Sequence, residues 1–183
     1  MINNVDNKKI LKWHLWGTAF LILVGSLLHF AFEWSNYSLI VGALTPVNES
    51  VWEHLKLGFT SLLIFSIFEY PNLKNYANNY FIAKASGIIV FNLIIVLLFY
   101  LYTSIAGHSI LILDISLYVA GCILCQIISY KFMCRKSFPK SISLISIVFI
   151  ILQLASFIIF TFNPPRLPIF MDSKTKSYGI VKD

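Results

Sequence analysis

Apolar residues run through this chain in long blocks separated by short polar punctuation. A block of about 20 apolar residues matches a bilayer crossed by one helix. Five such blocks predict membrane helices over roughly 13–33, 46–70, 83–103, 109–130 and 141–162, with a polar tail over 163–183. A further apolar stretch at 37–44 is too short to span and could be a re-entrant or interfacial segment. The predicted fold class is all-α: a polytopic transmembrane helical bundle of about five membrane helices, forming a single integral membrane domain.

Local signals sharpen these limits. The basic start, with Lys8, Lys9 and Lys12, could open a signal peptide, but no small-x-small cleavage pattern follows it. A retained first helix is predicted, with Trp13 and Trp16 as interfacial aromatics. Thr45 followed by Pro46 predicts the start of the second long helix, a hydroxyl cap and then proline at the first helical position. Glu49 and Glu53 would then lie in its first turns, at the positive end of the helix dipole. That helix is predicted to run unbroken to Tyr70, where Pro71 disfavours continuation. Glu49, Glu53 and Lys56 would share one stripe, as Ser26, His29 and Glu33 would on the first helix.

Composition agrees with the pattern. The chain is 58% hydrophobic and only 12% charged, about half the charged share of a soluble domain. Its formal net charge of +6 raises the question of nucleic acid, but the Lys and Arg residues sit at segment ends. They read instead as topology signals and contacts to the lipid bilayer's anionic headgroups. Cys122, Cys125 and Cys134 are odd in number, and the first two lie inside an apolar run, so they read as packing residues.

The charges also orient the chain. The N-terminus and the 70–84 and 131–140 loops are basic and should face the cytoplasm, while the 34–45 and 103–109 loops lack Lys and Arg and should face out. The tail's Arg166, Lys174, Lys176 and Lys182 are discordant with an outer C-terminus. On this threading His29, Glu33, Glu49, Glu53, His54, His108, Asp114 and Asp172 gather at the outer helix ends. His14 stays on the inner side and reads as interfacial.

The segments HFAFEWS (29–35), PVNESVWEHLK (46–56) and PPRLPIFMD (164–172), with Tyr178 and Gly179, carry a resemblance. Together they resemble a family of small multi-pass bacterial membrane proteins described as a domain of unknown function. The resemblance covers nearly the whole chain and implies a single domain in the bacterial cytoplasmic membrane. It implies no reaction, substrate or cofactor.

Three readings of the polar cluster follow. In the first it is a transport or ligand-binding site. Thr45, Asn48 and the helix N-terminus would hold an anion and Glu49 or Glu53 a proton or cation, with Glu33, Ser50, Trp52, Arg166 and Asp172 lining the site. In the second, Glu33, Glu49, Glu53, His54, Lys56 and Arg166 simply pair, and the protein serves as a scaffold or accessory subunit, as a homo-oligomer or with a partner membrane protein. The third is an intramembrane metal-dependent hydrolase acting on a lipid or other amphiphile. Its ligands to zinc would be His29, His54, His108 and one of Glu33, Glu49 or Asp172. There Glu49, Glu53 and His54 are the candidate catalytic residues, with Glu53 taking the proton of bound water. No compact His-Glu-x-x-His motif supports this third reading.

Overall fold

The computed structural model of the chain describes residues 5–180. Lys182, counted above among the tail's cations, lies outside them. Among the described residues there are six α-helices and no strand: α1 (Asn7–Trp34), α2 (Leu39–Gly42), α3 (Val51–Leu73), α4 (Tyr80–Ala106), α5 (Leu111–Met133) and α6 (Lys140–Phe162). All but α2 are long and apolar enough to cross a membrane. Large apolar side chains such as Leu15, Leu23, Leu97 and Leu152 point outward from this bundle. An outward apolar coat suits lipid rather than water.

The bundle is built around α3. Leu55, Phe59, Leu62 and Phe65 of this helix pack with Leu21 of α1, Ile88 and Phe91 of α4, Cys122 and Cys125 of α5 and Phe157 of α6. The two cysteines are buried free thiols in that core, which fits the packing role expected of them. Gly25 is where α1 comes close to α5: the space a Cβ would fill holds the Tyr118 hydroxyl, which donates to the Leu21 carbonyl at 2.7 Å.

Helix ends follow local chemistry, and the start of α3 departs from the sequence expectation. It begins at Val51, capped by Ser50, whose Oγ accepts from the Glu53 N–H at 3.3 Å. Thr45 cannot cap it, because its hydroxyl donates to the Val41 carbonyl at the end of the short α2 turn. Residues 46–50 form a loop instead, turned by the Asn48 side chain, which accepts from the Ser50 N–H at 2.9 Å. Glu49 is therefore off the helix, and the stripe shared by Glu49, Glu53 and Lys56 does not form. At its other end α3 passes through Pro71 to Leu73. A proline in the last turn loses only one helical hydrogen bond, and Lys74 N–H still closes on the Tyr70 carbonyl.

The three basic stretches meet at one end of the bundle. Asp6 N–H donates to the Tyr76 carbonyl. Asn79 bridges the other two, donating to the Phe132 and Lys136 carbonyls at 3.0 Å each and accepting from Phe138 N–H at 2.8 Å. The opposite end carries α2, the 46–50 loop and the tail.

Candidate metal centre

At that opposite end the tail folds back over the 46–50 loop. After α6, a 3-10 turn at Pro168–Phe170 leads into an antiparallel bridge between Met171 and Tyr178. Phe170 packs on Trp52, which also meets Phe157 and Phe160. Trp52 thus ties the tail to α3 and α6 by aromatic packing. Polar contacts then align the tail on the loop. Asn48 donates to the Gly179 carbonyl at 2.9 Å, and Ser173 N–H donates to the Glu49 carbonyl at 3.3 Å.

Asp172 organises the turn. Its buried carboxylate accepts from the backbone N–H groups of Glu49 at 3.0 Å and of Lys174 and Thr175 at 2.7 Å each. Burial alone would raise this carboxyl, but the three N–H groups outweigh it and leave Asp172 below its ordinary value. With its oxygens so engaged, Asp172 positions Glu49 and stands outside the group of three ligand atoms.

Glu49 is thereby held between two histidines. Its Oε2 lies 3.4 Å from His54 Nε2 and its Oε1 3.7 Å from His29 Nε2. The three ligand atoms all lie within 4.8 Å of one another. A tetrahedral ion with bonds of about 2.0–2.1 Å sets its ligands about 3.3 Å apart, so a small contraction would close the group on zinc. His54 Nδ1–H donates to the Ser50 carbonyl at 2.8 Å, which leaves Nε2 as the free lone pair. That lone pair faces a carboxylate oxygen. Two lone pairs so placed call for a cation between them, either a proton on the ring or a metal ion.

A cation already stands beside Glu49. Lys174 Nζ donates to Glu49 Oε1 at 2.7 Å, a contact that raises the lysine above its ordinary value. The hydrogen-bonded His54, helped by Lys174 against partial burial, holds the Glu49 carboxyl at about 2. Because the folded carboxyl sits below its ordinary 4.5, the unfolded chain binds more protons between those values. The Glu49 contribution is full above about pH 4.5 and is lost as pH falls through about 2. With the side chain 28% exposed, screening reduces it to on the order of 1–2 kcal/mol. Thermal unfolding of Glu49→Gln against wild type should show a gap that narrows from about pH 5 to about pH 3, whereas a constant gap would remove this assignment.

The remaining expected site residues lie outside the group of three ligand atoms, with Glu33 near His29 and Asp114 near His54. His108 is exposed in the turn after Gly107 and is outside the ligand group. Glu33 and Arg166 are exposed and form no ion pair among the described residues. Asp114 accepts a hydrogen bond from Tyr102. Glu53 is 2% exposed, and its carboxylate is occupied by Lys56 at 2.7 Å, Val47 N–H at 3.0 Å and the Thr161 hydroxyl at 3.3 Å. A carboxylate so closed cannot take a proton from bound water, so Glu53 is a structural residue. Sequence reasoning missed Lys174, whose only signal was a charge out of place in an outer tail.

No curated protein and no solved structure matches the chain. A family model matches residues 2–180, and the chain belongs to that family, a family of unknown function, DUF6512.

Proposed function

We propose that this is a multi-pass membrane protein that binds a divalent transition metal of the zinc class through His29, Glu49 and His54. The observation that carries the reading is the convergence of those three ligand atoms within 4.8 Å, from α1, the 46–50 loop and α3. Two imidazoles and a carboxylate are a donor set suited to zinc, and three protein ligands leave a fourth position for water or a ligand. The basic loops at the opposite end favour a cytoplasmic N-terminus and a metal site facing out. The lipid bilayer, with anionic headgroups at the basic end, is the surrounding this reading requires.

Binding is supported over passage. Hydrolysis would need a carboxylate free to accept the water's proton; Glu53 and Asp172 are both engaged, which leaves the exposed Glu33, unpaired among the described residues, as its candidate. Passage needs a polar path inward, and the Glu53–Lys56 pair in the first turns of α3 is closed on itself.

Metal content is the test. Purified full-length protein, stripped and dialysed against Zn2+ or Co2+, should retain one ion per chain, with a tetrahedral Co2+ spectrum. His29→Ala, His54→Ala and Glu49→Gln should each weaken binding by about tenfold or more, and Lys174→Met should tighten it by removing the competing ammonium. His108→Ala should leave it unchanged. No stoichiometric ion, or equal loss in His108→Ala, overturns the proposal.

A further inference from the structure

A cleft of about 570 Å³ opens between α1 and α3 at the basic end of the bundle, away from the candidate metal centre. That volume is within the range of small-molecule sites, about 300–1,000 Å³. Its α1 wall carries Lys9, Lys12, Trp13, Trp16 and Phe20, and its α3 wall Phe65 and Phe68. Lys9, Lys12, Trp16 and Phe20 recur every three or four residues, so they share one face of α1. Aromatic contacts join the two walls: the Phe65 ring centroid lies 5.9 Å from that of Trp13 and 5.3 Å from that of Phe20. Trp16 and Phe68 are 62% and 56% exposed, so the cleft opens on the lipid-facing surface.

The lining changes chemistry along the helix. Lys9 and Lys12 stand at the membrane-surface end, the indoles follow, and Phe20 and Phe65 lie deepest. From Lys9 to Phe20 is about 16 Å at the helical rise of 1.5 Å per residue. That is close to one leaflet of a hydrocarbon core about 30 Å thick. The two ammonium groups keep their charge. Among the described residues Asp6 and Glu69 are the carboxylates at this end. Glu69 is ion-paired to Lys84, and Asp6 accepts from the Lys9 backbone N–H at 2.9 Å. No ion pair among the described residues includes the Lys9 or Lys12 side chain. Lys9 Nζ rests over the Tyr76 ring, 3.5 Å from its centroid, a contact that holds it in place without neutralising it.

We propose that this cleft binds one anionic phospholipid, with its phosphate on Lys9 and Lys12 and an acyl chain along Trp16, Phe20, Phe65 and Phe68. Cations, then indoles, then phenyl rings match the order of an anionic headgroup, the polar-apolar boundary and a hydrocarbon tail. A free phosphate would use the lysines and leave the aromatic walls without a role. A second copy of the chain would press the cations of this end against their own kind. General attraction to headgroups needs no cleft, and would draw equally on Lys136 and Lys140, exposed at the same end. The site lies at the opposite end of the bundle from His29, Glu49 and His54, and stands whether or not they hold a metal.

Full-length protein, delipidated in a nonionic detergent and titrated with phosphatidylglycerol, phosphatidylcholine or inorganic phosphate, tests this by thermal unfolding and native mass spectrometry. Phosphatidylglycerol should raise the unfolding midpoint and stay bound at one molecule per chain, and the other two should do neither. Lys9→Gln/Lys12→Gln should weaken phosphatidylglycerol binding by about tenfold or more. Trp16→Ala/Phe68→Ala, at two exposed positions that folding does not depend on, should weaken it as well. Lys136→Gln/Lys140→Gln should leave it unchanged. Equal binding of phosphatidylcholine, equal stabilisation by phosphate, equal loss in Lys136→Gln/Lys140→Gln, or no loss in the two cleft variants overturns the proposal. A lipid-independent dimer that Trp16→Ala/Phe68→Ala dissociates assigns the cleft to a second copy and overturns it too.

Discussion

Replacing Lys56 with Met should destabilise the protein by about 3–5 kcal/mol, because it strands a buried carboxylate. Lys56 is 1% exposed, and its ammonium pairs with Glu53 within α3 and joins that helix to the Gly42 and Thr45 carbonyls and to Thr161 of α6. Removing it leaves Glu53 ionised without its countercharge, or forces it to take up a proton, and frees two backbone carbonyls with no donor. Glu53→Gln should cost a comparable amount by stranding the ammonium. The double variant Glu53→Gln/Lys56→Met should recover part of the loss, since a neutral amide can still accept from Val47 N–H while no charge is left unpaired. Thermal unfolding in micelles measures all three. Singles within about 1 kcal/mol of wild type would show that the pair does not hold the α2–α3–α6 junction. The junction also carries the 46–50 loop, so both singles should weaken metal binding without touching a ligand.

The five long helices were legible because lipid-length apolar blocks have few alternative readings. The start of α3 was not, for a reason specific to Thr45. Thr45-Pro46 has the form of a cap, yet the hydroxyl is used within α2, and Ser50 caps instead. Five residues of error moved Glu49 from a helix face to a loop. That separated it from Glu53, leaving Glu49 between the two histidines and Glu53 closed on Lys56. Threading correctly brought His29, Glu49 and His54 to one end, but a shared end is not a shared pocket, and His108 lies exposed outside the group. The same threading argument, applied to the basic end, brings His14, Glu69 and Lys84 together. Taken singly, His14 passes for an interfacial residue and Lys84 for a topology signal, whereas the fold sets both beside Glu69. The α2 segment was rightly judged too short to span. Its part is to present the Gly42 carbonyl to Lys56.

Asp172→Ala should release the tail from the candidate metal centre. The Asp172 carboxylate is the acceptor for three backbone N–H groups, two within its own turn and one on Glu49. Deleting it leaves those part-buried donors without a protein partner, at a cost of about 1–3 kcal/mol for each one that water cannot reach. Partial solvation of the opened turn brings the net loss to about 3 kcal/mol, or roughly a hundredfold more of the undocked form. Lys174 then leaves Glu49, and the 46–50 loop loses the anchor that points Glu49 at His29 and His54. Two measurements separate these consequences. Proteolysis of the tail should accelerate in Asp172→Ala, whether or not metal is present. Metal affinity should fall despite removal of the competing ammonium, because a loop free to move must be ordered again on binding. Asp172→Asn, which keeps one acceptor oxygen, should be intermediate in both. Lys174→Met separates the two roles of the tail: it removes the competitor while Asp172 still holds the loop, so affinity should rise with the tail still docked. Equal proteolysis of Asp172→Ala and wild type would show that the aromatic contacts of Phe170 with Trp52 and Phe160 hold the tail by themselves.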